Sequence, residues 1–342
     1  MSGEDSLNKT EWFQTNQKID EPDITPNKSE EELKKNSKPT REYVEENGFF
    51  PREMLPAMQL FDKKIANLKA ANDIPTTNED GSEVHFLSSE NYEKAHQLFN
   101  KKGEPDNNTS SATYLVEADK ILVRDDGNYP NYLTASSIFH ERIHREIDLK
   151  ARVYTQKDGQ IHSELSRGGL NVVRHAMTGK NKEYGALINE LGNFGVQKEI
   201  IKDLLEMPEY VDEANARKQR LEKLGVSDKT ESITVPFSEL GTVVFDIQNV
   251  HFDSGGNLQI DFGPFIMMQL VDDMKRLCPE VSGIPLEDAI IRAKAHPEFQ
   301  NQIRESLDNA LGKGFYSKLK NAAYDAGDAL HILYEVQQKT RR

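Results

Sequence analysis

The sequence predicts an α+β protein, mostly helical. A small β-sheet is expected to pack on two helices, one bearing an H-E-x-x-H string and the other a buried glutamate, with a helical C-terminal region beyond. Three observations point there. Apolar residues recur at spacings of three and four over Leu55 to Leu68, a long helical segment runs from about Glu183 to Glu206, and residues 264–340 read as helical. Two stretches, residues 112–124 and 243–262, are instead rich in β-formers and flanked by turn signals. The string His140-Glu141-Arg142-Ile143-His144 sits in LTASSIFHERIHREIDL, a segment without Pro or Gly that reads as a helix.

Taken in order, residues 1–45 are polar and charged, as in NKSEEELKKNSK, and read as a disordered or loosely helical tail. Order is expected from near Phe49. Leu55, Met58, Phe61, Ile65 and Leu68 then form an amphipathic stripe. After the polar TTNEDGSE comes a short helix over Asn91 to Asn100, then one strand or a hairpin over Ala112 to Arg124. The motif helix is expected to start near Leu133, capped by Thr134 or Ser136. A hairpin is predicted around Lys157-Asp158-Gly159, and a tight bend at Gly168-Gly169. A long helix is expected from about Glu183 to Glu206, weakened locally by Gly192 and Gly195. Residues 207–232 read as a charged connecting helix, and Val243 to Phe262 as a hairpin turning at Ser254-Gly255-Gly256-Asn257. Residues 264–340 read as helical, broken at Pro279, Gly283, Pro285, Pro297 and Gly312 to Gly314.

Composition narrows the function classes. The formal charge is −14, from 57 acidic and 43 basic residues, so phosphate backbones and anionic membrane surfaces are repelled. Nucleic acid and membrane are not expected partners. No apolar run approaches the length of a membrane span, and MSGEDSLNKTEWFQ lacks the regions of a secretory signal, so a cytoplasmic location is expected. The lone Cys278 cannot pair within the chain and reads as structural. The strings G-x-S-x-G, G-x-x-x-x-G-K-S/T and G-x-G-x-x-G are all missing, which removes the commonest hydrolase elbow and nucleotide loops.

On a helix, residues i and i+4 lie about 40° apart in rotation and about 6 Å along the axis. His140 and His144 so placed can converge on one tetrahedral zinc. Glu141, about 100° around from His140, can reach a metal-bound water without being a ligand, the position of a general base. A hydrolytic zinc takes three protein ligands and keeps one position open. The extended pattern with a third His would need Gly at 147 and His at 150, where this chain has Ile147 and Lys150. Asp148 lies a full turn beyond His144 and suits support of an imidazole better than ligation. Glu190, among apolar residues in Tyr184-Gly185-Ala186-Leu187-Ile188-Asn189-Glu190-Leu191, needs a compensating charge and is the better placed third ligand. Glu183 and Glu199 read as surface charges. The competing reading is two His on an ordinary packed or solvated helix face.

The string His140-Glu141-x-x-His144, the bend and strand at Arg167-Gly168-Gly169-Leu170-Asn171, and the downstream pair Asn189-Glu190 resemble the gluzincin group of zinc metallopeptidases over roughly residues 50–210. The resemblance implies that His140, His144 and Glu190 bind Zn2+, that Glu141 is the general base, and that the substrate is a peptide or protein. It also implies a strand beside the cleft, here residues 112–124, along which the substrate backbone adds by strand pairing. An oxyanion donor would come from Tyr184, Tyr210, His162 or His175. Three positions depart from the group's pattern: Arg142, Glu146, and Phe194, where an Asp usually braces the first His. That brace is expected either to be rebuilt, by Asp148 or Asn193, or to be missing. The same departures define the alternative, a catalytically degenerate member acting as a peptide- or protein-binding module. A further alternative places activity in the C-terminal helices, whose Met267-Met268, Leu270, Val271, Met274 and Leu277 read as core. The expected organisation is a tail (1–45), a metallopeptidase-like domain (46–235) and a hairpin with a helical C-terminal region (236–342).

Overall fold

The computed structural model describes residues 26–74, 83–99, 111–115, 118–148, 151–155, 161–165, 172–175, 181–226, 232–237, 240–259, 263–323 and 325–340. It is a mostly helical α+β protein with small sheets, as the sequence predicts.

Helical structure begins earlier than Phe49. Helix α1 spans Pro26–Asn47 and buries Ser37, Thr40 and Val44. Those three share one face through spacings of three and four. Two of them are small and polar, so the buried stripe does not register as hydrophobic periodicity. Val44 joins Leu87, Tyr92, Ala95, Leu115, Ala118 and Leu122 in a small separate core. Helix α2 (Leu55–Ala71) follows, and its buried stripe is Ala57, Phe61, Ile65 and Leu68, while Leu55 is exposed.

Strand β1 (Glu83–Ser88), which the polar loop reading did not include, leads into helix α3 (Ser89–Phe99). The segment 112–124 is a hairpin of β2 (Ala112–Leu115) and β3 (Lys120–Asp125). The sheet order is β1-β3-β2: β3 is central, parallel to β1 and antiparallel to β2, which leaves β2 at one edge.

Helix α4 (Asn131–Ile143) carries the motif and continues as one π turn, His144–Asp148. It starts earlier than expected because its cap comes from elsewhere. The Glu213 carboxylate accepts from the N–H groups of Asn131 (2.9 Å) and Tyr132 (3.1 Å), placing negative charge at the positive end of the helix. The hydroxyls of Thr134 and Ser136 instead donate to the carbonyls of Pro130 and Leu133. On the far side of α4, buried Arg142 pairs with Asp62 (2.7 Å) and Glu146 (3.1 Å), and Glu146 pairs with Lys69 (2.7 Å).

Strands β4 (Ala151–Thr155) and β5 (Ile161–Leu165) form the antiparallel hairpin predicted there. Strands β6 (Val172–His175) and β7 (Asn181–Tyr184) form another. Arg167 to Asn171, including the bend glycines, lie outside the described residues. Helix α5 (Ala186–Glu206) therefore begins at Ala186, not near Glu183, whose residues pair with β6. Gly185 makes the turn between strand and helix with φ +84°, a left-handed conformation open to glycine.

Helix α6 (Val211–Lys223) is the charged connecting helix. Strand β8 (Ser232–Phe237) pairs with β9 (Gly241–Asp246), so the division expected at residues 235–236 falls inside a strand. The run at Val243 thus pairs backward with β8, and only β10 (His251–Phe252) and β11 (Leu258–Gln259) close around the predicted glycine turn. Helix α7 (Gly263–Leu277), the short hairpin β12 (Glu280–Val281) and β13 (Ile284–Pro285), and helices α8 (Leu286–Ala295), α9 (Gln300–Leu311), α10 (Phe315–Asn321) and α11 (Ala326–Thr340) complete the chain.

Helix α5 is packed between α4 on one side and α7 and α8 on the other. Gly192 and Gly195 explain how: a Cβ at Gly192 would lie 2.8 Å from Ile290 Cγ2, and one at Gly195 2.8 Å from Glu287 Cβ. The two glycines that weaken the helix in isolation are the points where α8 approaches it. Met267, Met268, Leu270, Val271 and Met274 are buried in one continuous core that runs from Met54 to Val336. Cys278 is buried too, and burial pushes its thiol pKa up, away from reactivity. Among the described residues no helix is long and apolar enough to cross a membrane.

Candidate metal centre

Helix α4 presents His140 and His144 one turn apart, and α5 crosses it to present Glu190. The three side chains meet. His140 Nε2 and His144 Nε2 are 3.0 Å apart, and Glu190 Oε2 is 3.0 Å from the first and 3.3 Å from the second. Donors arranged tetrahedrally around zinc at about 2.0–2.1 Å stand about 3.3 Å from one another. The triangle is therefore small enough for all three atoms to contact one metal ion. Glu190 Oε2 is buried and left without a hydrogen bond. Burial pushes the Glu190 carboxyl pKa up, yet the two imidazoles override it and hold it well below the usual carboxylate range. Among the described residues these three are the group of His, Cys, Asp or Glu side chains close enough to share an ion.

The ring of His140 is held by α5. Its Nδ1 lies 3.0 Å from Gln197 Oε1, while Gln197 Nε2 donates to Ser136 Oγ (3.2 Å) and Ser136 Oγ donates to the Leu133 carbonyl (2.8 Å). This chain fixes the tautomer. Ser136 spends its proton on Leu133, so it must accept from the amide nitrogen of Gln197. The amide oxygen then faces His140, whose Nδ1 carries the hydrogen and whose Nε2 keeps its lone pair for a metal. Sequence reasoning looked for this brace at Asp148 or Asn193 and missed Gln197. The signal was available: Gln197 stands two helical turns after Glu190 on the same face of α5. Phe194, at the position of the expected brace, packs its ring on His140 with centroids 4.5 Å apart.

Asn193 serves the second histidine. Its Nδ2 lies 3.3 Å from His144 Nδ1 and 3.2 Å from His144 Nε2. Its Oδ1 accepts from buried Lys294 on α8, a contact no sequence pattern announced.

Glu141 is tied to the edge strand: its Oε2 accepts from the Tyr114 N–H of β2 at 2.9 Å. Burial raises its carboxyl pKa above the ordinary value, with His144, His140 and the Tyr114 N–H pulling the other way. The Tyr114 hydroxyl donates to Asp119 (2.8 Å), and Asp119 accepts twice from Arg145 (2.8 and 3.1 Å), which locks the β2–β3 turn to the residue after His144. Beside His140 and Glu141 opens a cleft walled by Leu133, Phe194, Ile201, Pro264, Phe265 and Met268. Helix α7 thus furnishes part of the wall.

Other candidates fall elsewhere. Tyr210 donates to Met54 Sδ (3.5 Å) in the core and is not an oxyanion donor. The side chains of Asp148, His162, His175, Glu183 and Tyr184 lie outside the described residues. Glu199 is exposed and pairs with Lys202, as a surface charge should. His251 is buried against Phe265, with Nδ1 3.1 Å from the Tyr132 hydroxyl. Compared with protein-family models, curated proteins and solved structures, the chain matches none.

Proposed function

We propose that this chain hydrolyses peptide bonds as a zinc-dependent peptidase, with His140, His144 and Glu190 as zinc ligands and Glu141 as general base. The observation that carries the reading is the convergence of two imidazole nitrogens and one orphaned carboxylate oxygen, close enough to contact one metal ion. Two nitrogens and one oxygen suit zinc, whereas calcium and magnesium favour oxygen alone. When bound, zinc would acidify a water molecule and polarise the scissile carbonyl.

The protein groups would do the rest. The Tyr114 N–H engages Glu141 Oε2, which leaves Oε1 to take the proton from the attacking water. Glu141 would then return that proton to the leaving amine. The edge strand β2, bonded to Glu141, would align a substrate strand, and the adjoining cleft would take a side chain from it.

The reading competes with a degenerate member that binds peptides without cleaving them. Two of the three departures behind that alternative, Arg142 and Glu146, have partners in the buried ion network, and Gln197 supplies the brace missing at Phe194. These partners favour the active form. The deciding experiment measures zinc content and peptide hydrolysis for the parent protein, Glu141→Gln, Glu190→Ala and His140→Ala. The peptidase reading expects about one zinc per parent chain, retained in Glu141→Gln with hydrolysis lost, and zinc lost in Glu190→Ala. Normal turnover by Glu141→Gln would sink the mechanism. Zinc far below stoichiometric, with no dependence on His140, would favour the binding module.

A further inference from the structure

We infer that Lys294, from the C-terminal helical region, is a positioning residue of the metal centre and acts through Asn193 on His144. The inference rests on the metal-site reading above.

Lys294 lies near the end of α8 and is only 6% exposed. A buried ammonium is costly unless something on the protein repays its lost hydration. Packing alone does not require it, since Leu286, Ala289, Ile290 and Ala293 already bury the apolar face of α8. Its Nζ donates to Asn193 Oδ1. An amide has one accepting oxygen and one donating nitrogen, and an ammonium only donates. With Lys294 at the oxygen, the amide cannot flip, because flipping would set its NH2 against the ammonium. The nitrogen must face His144.

Where it faces His144 is equally specific. Nδ2 stands at nearly the same distance, 3.3 and 3.2 Å, from both ring nitrogens. An atom so close to both cannot lie in the ring plane, because Cε1 occupies that position. The amide therefore lies over the face of the imidazole, an N–H on a π surface. It stops the ring from swinging while leaving Nε2 aimed at His140 and Glu190. Gly192 and Gly195 bracket Asn193, and at both α8 approaches α5 too closely for a Cβ. The same pair of glycines that brings the helices together brings Lys294 within reach.

The test uses the full chain. Zinc affinity is measured by competition with a chromophoric chelator, and the cobalt-substituted protein gives a visible spectrum that reports ligand geometry. The variants are Lys294→Met, Asn193→Ala and the double substitution. Removing a partner behind a metal ligand typically weakens binding by about 10–100-fold. Lys294→Met and Asn193→Ala are each expected to weaken zinc binding by about tenfold or more and to change the cobalt spectrum. Because Lys294 acts through Asn193, the double variant should lose little more than Asn193→Ala alone. Parent-like affinity and spectrum in Asn193→Ala overturn the inference, whether or not Lys294→Met folds. Full additivity in the double variant overturns it too. A parent protein that binds no zinc removes the metal-site reading itself, an outcome distinct from a zinc-binding parent whose variants are unchanged.

Discussion

Gln197→Met puts the tautomer argument at risk. Methionine has nearly the length and volume of glutamine, so the gap between α4 and α5 stays filled, but the acceptor 3.0 Å from His140 Nδ1 and the donor 3.2 Å from Ser136 Oγ both vanish. The His140 Nδ1–H is then buried without a partner, at a cost of about 1–3 kcal/mol. The ring has an escape. It can move the hydrogen to Nε2, which already stands 3.0 Å from Glu190 Oε2 and can donate to it. That tautomer has no lone pair at the metal position. Zinc binding must then reverse the shift, and about 1–3 kcal/mol corresponds to roughly 5–150-fold in Kd. Competition titration with a chelator reads the affinity, and nitrogen NMR of the metal-free protein reads which ring nitrogen of His140 is protonated. A Kd within twofold of the parent, or an Nδ1–H tautomer that persists in the variant, would refute the reasoning.

Other outcomes follow from the same geometry. Gly192→Ala sets a methyl 2.8 Å from Ile290 Cγ2, so a loss of about 1–3 kcal/mol is expected in urea unfolding, with α8 displaced from α5. Glu146 is subject to burial, which raises its pKa, but Lys69 and Arg142 outweigh that and hold it below its ordinary value of 4.5. Its contribution to stability is thus complete above 4.5 and disappears as the pH falls through the lowered value. Urea unfolding of Glu146→Gln should therefore show a shallower acid loss than the parent, and an identical acid limb would count against the ion network. Met268→Trp adds bulk at the wall of the cleft. It is expected to raise KM for peptides with large apolar side chains while zinc content stays unchanged; an unaltered KM would mean the cleft is not where the substrate sits.

The parts of the site that one helix specifies were legible from sequence. The four-residue spacing of His140 and His144 is a geometric requirement that shows in the string itself, and Glu190 betrayed itself as a charge among apolar neighbours. The parts that depend on two elements meeting were not. Gln197 and Lys294 are ordinary polar letters until α4 and α5 supply His140 and Asn193. The cap of α4 comes from Glu213 on another helix, so the search among its own Thr and Ser failed. Strand β9 was visible as a run of β-formers, but its partner was not. Its neighbour β8 contains Pro236 and alternates between exposed and half-buried residues, while the glycine turn downstream offered a more obvious hairpin. The tail was read as at most loosely helical, and the packed face of α1 was not legible because Ser37 and Thr40 serve where apolar residues usually do.

The ion network behind α4 has a consequence for how accurately the donor triangle is placed. Apolar contacts between helices are forgiving, since a slide of one turn exchanges one side chain for another of similar size. Charges are not. A one-turn slide would carry Arg142 away from solvated Asp62 and Glu146 away from buried Lys69, and the second separation strands buried charge at a cost of about 3–5 kcal/mol. The same slide would move both imidazoles by about 5.4 Å, farther than any edge of the triangle. Asp62, Lys69, Arg142 and Glu146 thus act as the teeth of a ratchet, permitting one setting of the metal helix against its neighbour.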